Sequence, residues 1–192
     1  MEINFMTSNA TKVTIASERL SRYGIHVKRK HFDFKEMQSL DVGEVAIDKA
    51  RQVICAGASE DFIVDDSGFY VDALNGFPGA YLKPVFDAIG DEKFLKLMHG
   101  IKNRKCSLRS VLVYGNAHTK ELRSFKLECT GALLDDAKGS RKRGILPARL
   151  IAPYGHKKSI AQMDDLEFGQ FLHDLRKNDH YEKFAKWISK KV

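Results

Sequence analysis

The sequence has few cysteines and no long apolar run. Its three cysteines, Cys55, Cys106 and Cys129, are widely spaced and odd in number. They form no metal-binding pattern, and their use is typical of small buried thiols in a reducing compartment. The apolar run at residues 111–113 is far too short to cross a bilayer, so we expect no membrane partner.

Targeting segments and linkers are also missing. The chain starts without the basic and apolar stretches of a signal peptide, which predicts cytoplasmic residence. It has no internal repeat, no low-complexity stretch and no linker rich in Pro, Gly or Ser. A length of 192 residues therefore predicts one domain over residues 1–192, large enough for a substantial core and a small second lobe.

Net charge allows two classes of partner. Lysine and arginine exceed the acidic residues by 32 to 25, which gives a formal charge of +7. Such a balance is compatible with nucleic-acid binding or with attraction of small anionic substrates. Acids and bases alternate along most of the chain, and the one dense basic cluster, at residues 138–143, fits either a solvated loop or phosphate contact. We therefore expect no nucleic-acid partner.

Hydrophobic periodicity alternates between strand and helix. Residues 3–6 are predicted to form a buried strand, residues 7–9 to cap a helix, and residues 25–31 to form a second strand. A second amphipathic helix ends near Gly57 and precedes a buried strand at residues 62–64. Further strands are predicted at 107–114 and 122–130, and further helices at 91–99 and in the C-terminal region. This order predicts an α/β fold.

Two aspartates follow the predicted strand at residues 62–64. Asp65 and Asp66 are expected beyond its carboxyl end, where α/β sheets bind ligands, and Gly68 allows a tight turn there. Adjacent carboxylates repel each other unless a cation or hydrogen bonds intervene, and hard oxygen ligands of this kind suit Mg²⁺. A structural turn with one capping aspartate is the alternative.

Residues suited to phosphate occur elsewhere in the chain. The polar segment Thr7, Ser8 and Asn9 stands at a predicted helix start, where backbone N–H groups attract anions. Lys12 lies one turn further and is within reach of the same phosphate. Lys49, at the margin of the second helix, and Lys83, after residues 78–82, are additional cations. Read singly, each also fits a structural role, as a helix cap or a surface lysine.

Four segments together carry a resemblance to a known family. They are TSNATK at residues 7–12, EMQ at 36–38, AIDKA at 46–50 and VDDSGFYVDALNGFPGAYLK at 64–83. With these segments, the chain resembles the inosine triphosphate pyrophosphatase (Ham1-like) family, most closely over residues 1–135. The last segment is long and highly specific.

The resemblance implies a fold and an activity. The fold is an elongated α/β structure with a long central mixed sheet flanked by helices, and its two lobes surround a nucleotide cleft. The activity is Mg²⁺-assisted hydrolysis of a nucleoside triphosphate, such as ITP, XTP or a deoxy form, to the monophosphate and pyrophosphate. Members of the family are typically homodimers.

The resemblance also assigns residues. Asp66, Asp65 and Lys12 are expected to be catalytic. Glu36 and Asp66 are expected to hold the metal. The expected substrate contacts are Thr7, Asn9, Lys12, Lys49, Ser67, Lys83 and His173.

The second half departs from the family pattern at the residues that handle the base. A Gly-Phe-Gly-aromatic-Asp-Pro stretch is replaced here by residues 142–147, with Ile145 at the aromatic position and Leu146 at the aspartate position. The family's Ser-His-Arg is absent. His173 is a candidate for the histidine, with an exposed helix histidine as the alternative, and Arg141 or Arg143 could contact phosphate or a base carbonyl.

These departures leave the identity of the substrate's base undecided. A site that hydrogen-bonds a base carbonyl rejects an analogue lacking it by roughly 10⁴–10⁵-fold, whereas an apolar pocket discriminates by about 10–200-fold. Loss of polar contacts predicts relaxed or redirected base choice. The alternatives are the same chemistry on a different base, or a nucleotide-binding regulatory protein without catalysis.

Overall fold

A mixed β-sheet forms the centre of the molecule. The computed structural model describes residues 1–140 and 145–191, and within them seven strands form one sheet. The strands are β1 (Glu2–Met6), β2 (His26–Lys30), β3 (Phe62–Val71), β4 (Pro78–Gly79), β5 (Lys105–Gly115), β6 (Leu122–Leu133) and β7 (Ile151–Pro153). The spatial order is β2-β1-β3-β5-β6-β7, with β4 paired to β3. The predicted α/β class with a mixed sheet flanked by helices is confirmed.

Helices cover both faces of this sheet. They are α1 (Ala10–Ser21), α2 (Val42–Cys55), α3 (Leu82–Lys96), α4 (Asp165–Arg176) and α5 (His180–Ile188), with short 3₁₀ turns at Asp72–Leu74 and Ile160–Gln162. The helix predicted at 91–99 is the second part of α3, which bends at Gly90, where φ is 69°. Among the described residues, no helix combines the length and apolar character that crossing a membrane requires.

Strand β3 is longer than the sequence predicts. It continues through Asp65 and Asp66 to Val71, so the tight turn expected at Gly68 is wrong. The physical reason is β5, which pairs with β3 residue by residue along its whole length and takes up its backbone hydrogen bonds. Because side chains alternate along a strand, Asp65 and Asp66 point to opposite faces of the sheet.

The other edge of β3 is only partly covered. Its pairing with β1 ends at Ile63, and its pairing with β4 begins at Phe69. Among the residues that the structure describes, no strand pairs with this edge at residues 64–68. The gap gives side chains from both faces of the sheet access to one cavity.

Three apolar clusters fix the helices around this gap. One joins α1 and α5 to one face and includes Phe5, Leu20, Ile63 and Phe184. A second joins α2 to the other face and includes Ala46, Val53, Val64 and Val111. The third joins α3, α4 and β7 to the distal part of the sheet and includes Phe69, Phe94, Leu150 and Phe171.

Two glycines permit close backbone approach beside the gap. A Cβ on Gly68 would lie 2.8 Å from the carbonyl oxygen of Gly79. Gly79 itself has a φ of +57°, and a Cβ there would lie 2.3 Å from the carbonyl oxygen of Leu40. Only glycine fits both positions, which lets β4 and the segment before α2 close over one end of the gap.

Candidate functional site

A cavity of about 780 Å³ follows the open edge of β3. Charged side chains line it beside Asp65 and Asp66, and apolar side chains line it where they pack with the cluster of α3, α4 and β7. Of the residues predicted from the sequence, it brings together Asn9, Lys12, Glu36, Lys49, Asp65, Asp66, Ser67 and Lys83. The cavity therefore has the two unlike ends that a nucleotide would need.

On the α2 side, two carboxylates meet one lysine. The Nζ of Lys49 donates to Asp66 Oδ2 at 2.7 Å and lies 3.0 Å from Glu36 Oε1. Burial disfavours the charged form of Lys49, but the two carboxylates outweigh it and raise its pKa. Glu36 is 69% exposed, so it can turn toward a ligand. The arrangement is a charged cluster at the cavity wall.

On the α1 and α5 side, Asp65 is buried among donors. Its backbone carbonyl accepts from Lys12 Nζ at 2.8 Å, and its Oδ2 accepts from the Tyr181 hydroxyl at 2.7 Å. His180 Nε2 lies 3.6 Å from the same oxygen. Burial opposes ionisation of Asp65, but the charge of Lys12 and the groups of His180 and Tyr181 outweigh it and lower its pKa to about 2. Asp65 is therefore a fixed anion that organises its neighbours.

The segment between β1 and α1 is held by its own polar side chains. Asn9 Oδ1 accepts from the Lys12 N–H at 3.2 Å and caps α1. Thr7 Oγ1 accepts from the Asn9 N–H at 3.1 Å, and Thr7 is buried. Asn9 and Lys12 line the cavity, whereas Thr7 does not. The side chain of Thr7 faces inward and stabilises the loop, and the substrate contact expected of Thr7 stays a prediction.

Ser67 and Lys83 occupy different depths of the cavity. Ser67 lies on the sheet, with its Oγ 2.9 Å from Ser110 Oγ. Lys83, in the first turn of α3, is 77% exposed and pairs with Asp87 one turn later. Lys83 is thus free to move from this surface pair toward an anion in the cavity.

The donor set fits a hard divalent cation. Within residues 1–140 and 145–191 no group of three or more His, Cys, Asp or Glu side chains is arranged to hold a metal. Glu36 and Asp66 nevertheless both reach Lys49 Nζ, and so supply two carboxylates at one place. Mg²⁺ is commonly bound by one or two carboxylates, with waters and phosphate oxygens completing the shell.

The histidine at the cavity is His180, not His173. His173 is exposed on α4 and does not line the cavity, because α4 turns its apolar face, with Phe171 and Leu175, toward the core and cavity. His180 is 5% exposed, lines the cavity, and has no hydrogen-bond partner on either ring nitrogen. No local signal in the sequence distinguished it from His173.

The opposite end of the cavity is mainly apolar. Ile145 and Leu146 line it, together with Leu127, Phe171 and Leu175. The two residues predicted at the base-handling positions are therefore at the cavity. Lys138 is exposed and does not line it, and the predicted contacts of Arg141 and Arg143 lie outside the described residues.

Sequence comparison finds one family over most of the chain. A model of the Ham1 family matches residues 3–176, which extends the similarity well into the divergent half. A protein of Methanopyrus kandleri named dITP/XTP pyrophosphatase is 35% identical over 100% of this chain and 98% of its own length. A protein of the same name from Thermococcus kodakarensis is 31% identical, with 100% of both chains covered.

Solved structures share the fold. The Ham1 protein of Staphylococcus aureus superposes with a TM-score of 0.80 at 22% identity, covering 100% of both chains. A HAM1 protein from Coxiella burnetii gives a TM-score of 0.77 at 21% identity, covering 99% of each. These similarities extend over the whole sheet and its helices.

Proposed function

The chain belongs to the Ham1 family, and from this premise we propose that it hydrolyses a nucleoside triphosphate, of a deaminated purine such as inosine or xanthosine, to the monophosphate and pyrophosphate. One observation carries the proposal: a single cavity joins a lysine and carboxylate end to an apolar end. A triphosphate fits the first and a base the second. The relatives named dITP/XTP pyrophosphatase support this choice of substrate.

Asp66 is the proposed catalytic carboxylate. It is partly exposed at the gap in β3, and its Oδ2 already accepts a hydrogen bond from Lys49. In the proposed reaction it orients a water and takes its proton as the water oxygen bonds to the α-phosphorus. The bond from the α-phosphorus to the bridging oxygen breaks, and the electron pair leaves with pyrophosphate.

Three lysines are proposed to bind the phosphates. Lys12 and Lys49 approach the open edge of β3 from opposite faces, and Lys83 lies at the rim. Asn9 and the start of α1 add backbone donors. These groups are in place before the reaction, so they can stabilise the charge that develops on the leaving pyrophosphate with little rearrangement.

Glu36 and Asp66 are the residues proposed to hold Mg²⁺. When bound, the ion would neutralise phosphate charge and polarise the phosphoryl group. We expect EDTA to abolish pyrophosphate release and added Mg²⁺ to restore it. Full activity in excess EDTA would remove the metal from the proposal.

The part of the cavity proposed to hold the base offers few polar groups, which predicts weak discrimination among bases. In the described part of the cavity wall, the buried ring of His180 has no hydrogen-bond partner, although its Nε2 lies 3.6 Å from Asp65 Oδ2, while Tyr181 already donates to Asp65. One imidazole offers one donor and one acceptor. We therefore propose a preference for deaminated purines nearer to 10–200-fold than to 10⁴-fold.

A substrate panel tests the activity. Purified protein is incubated with standard, deaminated and modified NTPs and dNTPs in Mg²⁺, and pyrophosphate and monophosphate are measured. Release from ITP, dITP or XTP at the highest kcat/KM is expected. A folded protein that binds these nucleotides without hydrolysing them would favour the regulatory alternative, and absence of both would end the proposal.

The assembly and location are also proposals. The family resemblance supports a homodimer. The free cysteines, two of them buried, support residence in the reducing cytoplasm. Light scattering after size exclusion should give twice the mass of the 21.7 kDa chain. A monomer at micromolar concentration would contradict the assembly.

A further inference from the structure

A buried ion pair joins the helix that begins at the phosphate site to the helix that carries His180. Arg19 of α1 lies 3.2 Å from Asp179, the residue that caps α5, and their side chains are 5% and 6% exposed. The same guanidinium donates to the Arg176 carbonyl at 2.6 Å and lies 3.5 Å from Glu182. It therefore binds the end of α4 and the first turn of α5 at once.

This guanidinium lies next to the site without lining the cavity. Asp179 directly precedes His180 and Tyr181, whose side chains line the cavity. Asp179 uses one oxygen for Arg19 and the other to accept from the Glu182 N–H at 2.7 Å, which starts the helix. The position of Arg19 thus sets where α5 begins.

Helix α1 consequently contacts both β3 and α5 beside the site. Near its start, Lys12 donates to the Asp65 carbonyl, and about two turns later Arg19 holds the start of α5. Tyr181 of α5 in turn connects that helix to β3, because its hydroxyl donates to the Asp65 carboxylate. A buried pair of this kind contributes more to a defined arrangement than to net stability, because desolvation offsets much of its attraction.

We propose that Arg19 is a positioning residue that acts through Asp179 to hold the His180 ring at the cavity wall, beside the Asp65 carboxylate. The proposal rests on the proposed nucleotide hydrolysis. In the proposed function His180 contacts the base and takes no proton from the attacking water, so loss of the Arg19–Asp179 pair should weaken substrate binding more than it slows chemistry. We therefore expect loss of the pair to raise KM and to change the preference among bases.

The chain provides suitable variants. Arg19→Leu combined with Asp179→Asn removes both charges, so no buried charge is left unpaired, and asparagine keeps the helix cap. Asp179→Asn alone is a second variant, in which Arg19 keeps its contacts with Glu182 and the Arg176 carbonyl. The control is Glu18→Gln, which breaks the more exposed pair of Glu18 with Arg176 at 3.2 Å, between α1 and the end of α4.

Kinetics with the best nucleotide of the panel test the proposal. The double variant should raise KM about tenfold, the typical worth of one hydrogen bond to a ligand, with kcat changed less than about threefold. Glu18→Gln should leave both constants unchanged. In a His180→Ala background the double substitution should add little, because the group it positions is gone.

Two results would overturn the inference. One is an unchanged KM in the double variant, and the other is the same tenfold rise in the His180→Ala background. NMR of the histidine rings provides a measurement that needs no activity: the His180 signals should shift in the double variant and not in Glu18→Gln. If the wild type hydrolyses no nucleotide, the proposed function fails. In that case, unshifted His180 signals in the double variant would separately reject a positioning role for the Arg19–Asp179 pair.

Discussion

Consecutive side chains of one strand serve two separate parts of the site. Asp65 faces α1 and α5 and is fixed by Lys12 and Tyr181, whereas Asp66 faces α2 and meets Lys49. The alternation of a β-strand separates two carboxylates that would otherwise repel each other. One acid can therefore remain a permanent structural anion while its neighbour is available to water and metal.

Replacement of the second acid tests this division. Asp66→Asn should lower kcat by about 10²–10⁴-fold, because an amide cannot accept the proton of the attacking water. The fold should survive, since Asp66 is partly exposed. Pyrophosphate release and circular dichroism measure the two effects. Asp174→Asn, an exposed acid on α4, is the control, and retained turnover in Asp66→Asn would remove it from the central role.

Local motifs predicted one half of the site better than the other. Asn9, Lys12 and Lys49 lie in short segments whose chemistry is visible in the sequence, and the structure places them at the cavity. His180 was missed because nothing local distinguishes it from His173. The difference arises from which face each helix buries, and that depends on residues far away in the chain.

At the level of elements, the contact between the turn after α1 and the first turn of α5 includes a hydrogen bond to a titratable group. Glu182 accepts from the Tyr23 hydroxyl, and this bond is the main cause that lowers the pKa of Glu182 below its usual value. A carboxylate whose pKa is lowered by folding stabilises the folded state above its unfolded pKa. This stability is lost as the pH falls through the folded pKa.

Tyr23→Phe should reveal that dependence. At pH 7 the variant should be less stable by about 1 kcal/mol, and the difference from wild type should shrink as the pH falls below the ordinary glutamate pKa and through the lowered pKa of folded Glu182. Urea denaturation at a series of pH values from neutral to strongly acidic measures it. Tyr154→Phe, at a tyrosine that is 88% exposed, should leave the stability unchanged at every pH. A difference that does not depend on pH would contradict this assignment.

The short strand β4 depends on glycine. Gly79→Ala should destabilise the fold by more than about 1 kcal/mol, because a Cβ would lie 2.3 Å from the Leu40 carbonyl at a φ of +57°. Gly169→Ala is the matched control, since its Cβ would meet nothing within 4 Å in α4. That change should stabilise by roughly 0.5–1 kcal/mol. Thermal denaturation of both variants gives the comparison, and equal effects would contradict it.

The element that sequence described least well is β3. Asp65, Asp66 and Gly68 have the composition of a turn, and local preference predicts one. The structure keeps the strand extended because β5 supplies a partner from Gly115 to Cys106. Pairing between segments some forty residues apart overrides the local signal, and no reading of residues 65–68 alone could show it.

Across the whole molecule, the site touches the sheet and most of the helices. Asn9, Glu36, Asp66, Lys83 and His180 line one cavity although they span nearly the full sequence. Ligand binding should therefore stabilise the chain as one unit, as the prediction of a single domain over residues 1–192 requires. The phosphate motifs predicted this convergence, but the packing of α5 against α1 is a long-range result.

Nucleotide binding should appear as one shifted transition. With Asp66→Asn to prevent turnover and nucleotide about 100-fold above its Kd, stabilisation should be about 2.7 kcal/mol. For a chain of this size, that is a rise in Tm of roughly 5–10 °C. Scanning calorimetry should show a single peak before and after binding. Two peaks, of which only one moves, would contradict a single cooperative domain.

The gap in β3 also bears on self-association. An uncovered strand edge is a common starting point for aggregation, because its free N–H and C=O groups can pair with another chain. Here the Lys12 ammonium binds the Asp65 carbonyl, and the Asp66 carboxylate accepts the Ser67 N–H at 2.9 Å. The edge is short, charged and already paired to side chains. The groups assigned to phosphate chemistry thus act as gatekeepers that keep this edge from recruiting a foreign strand.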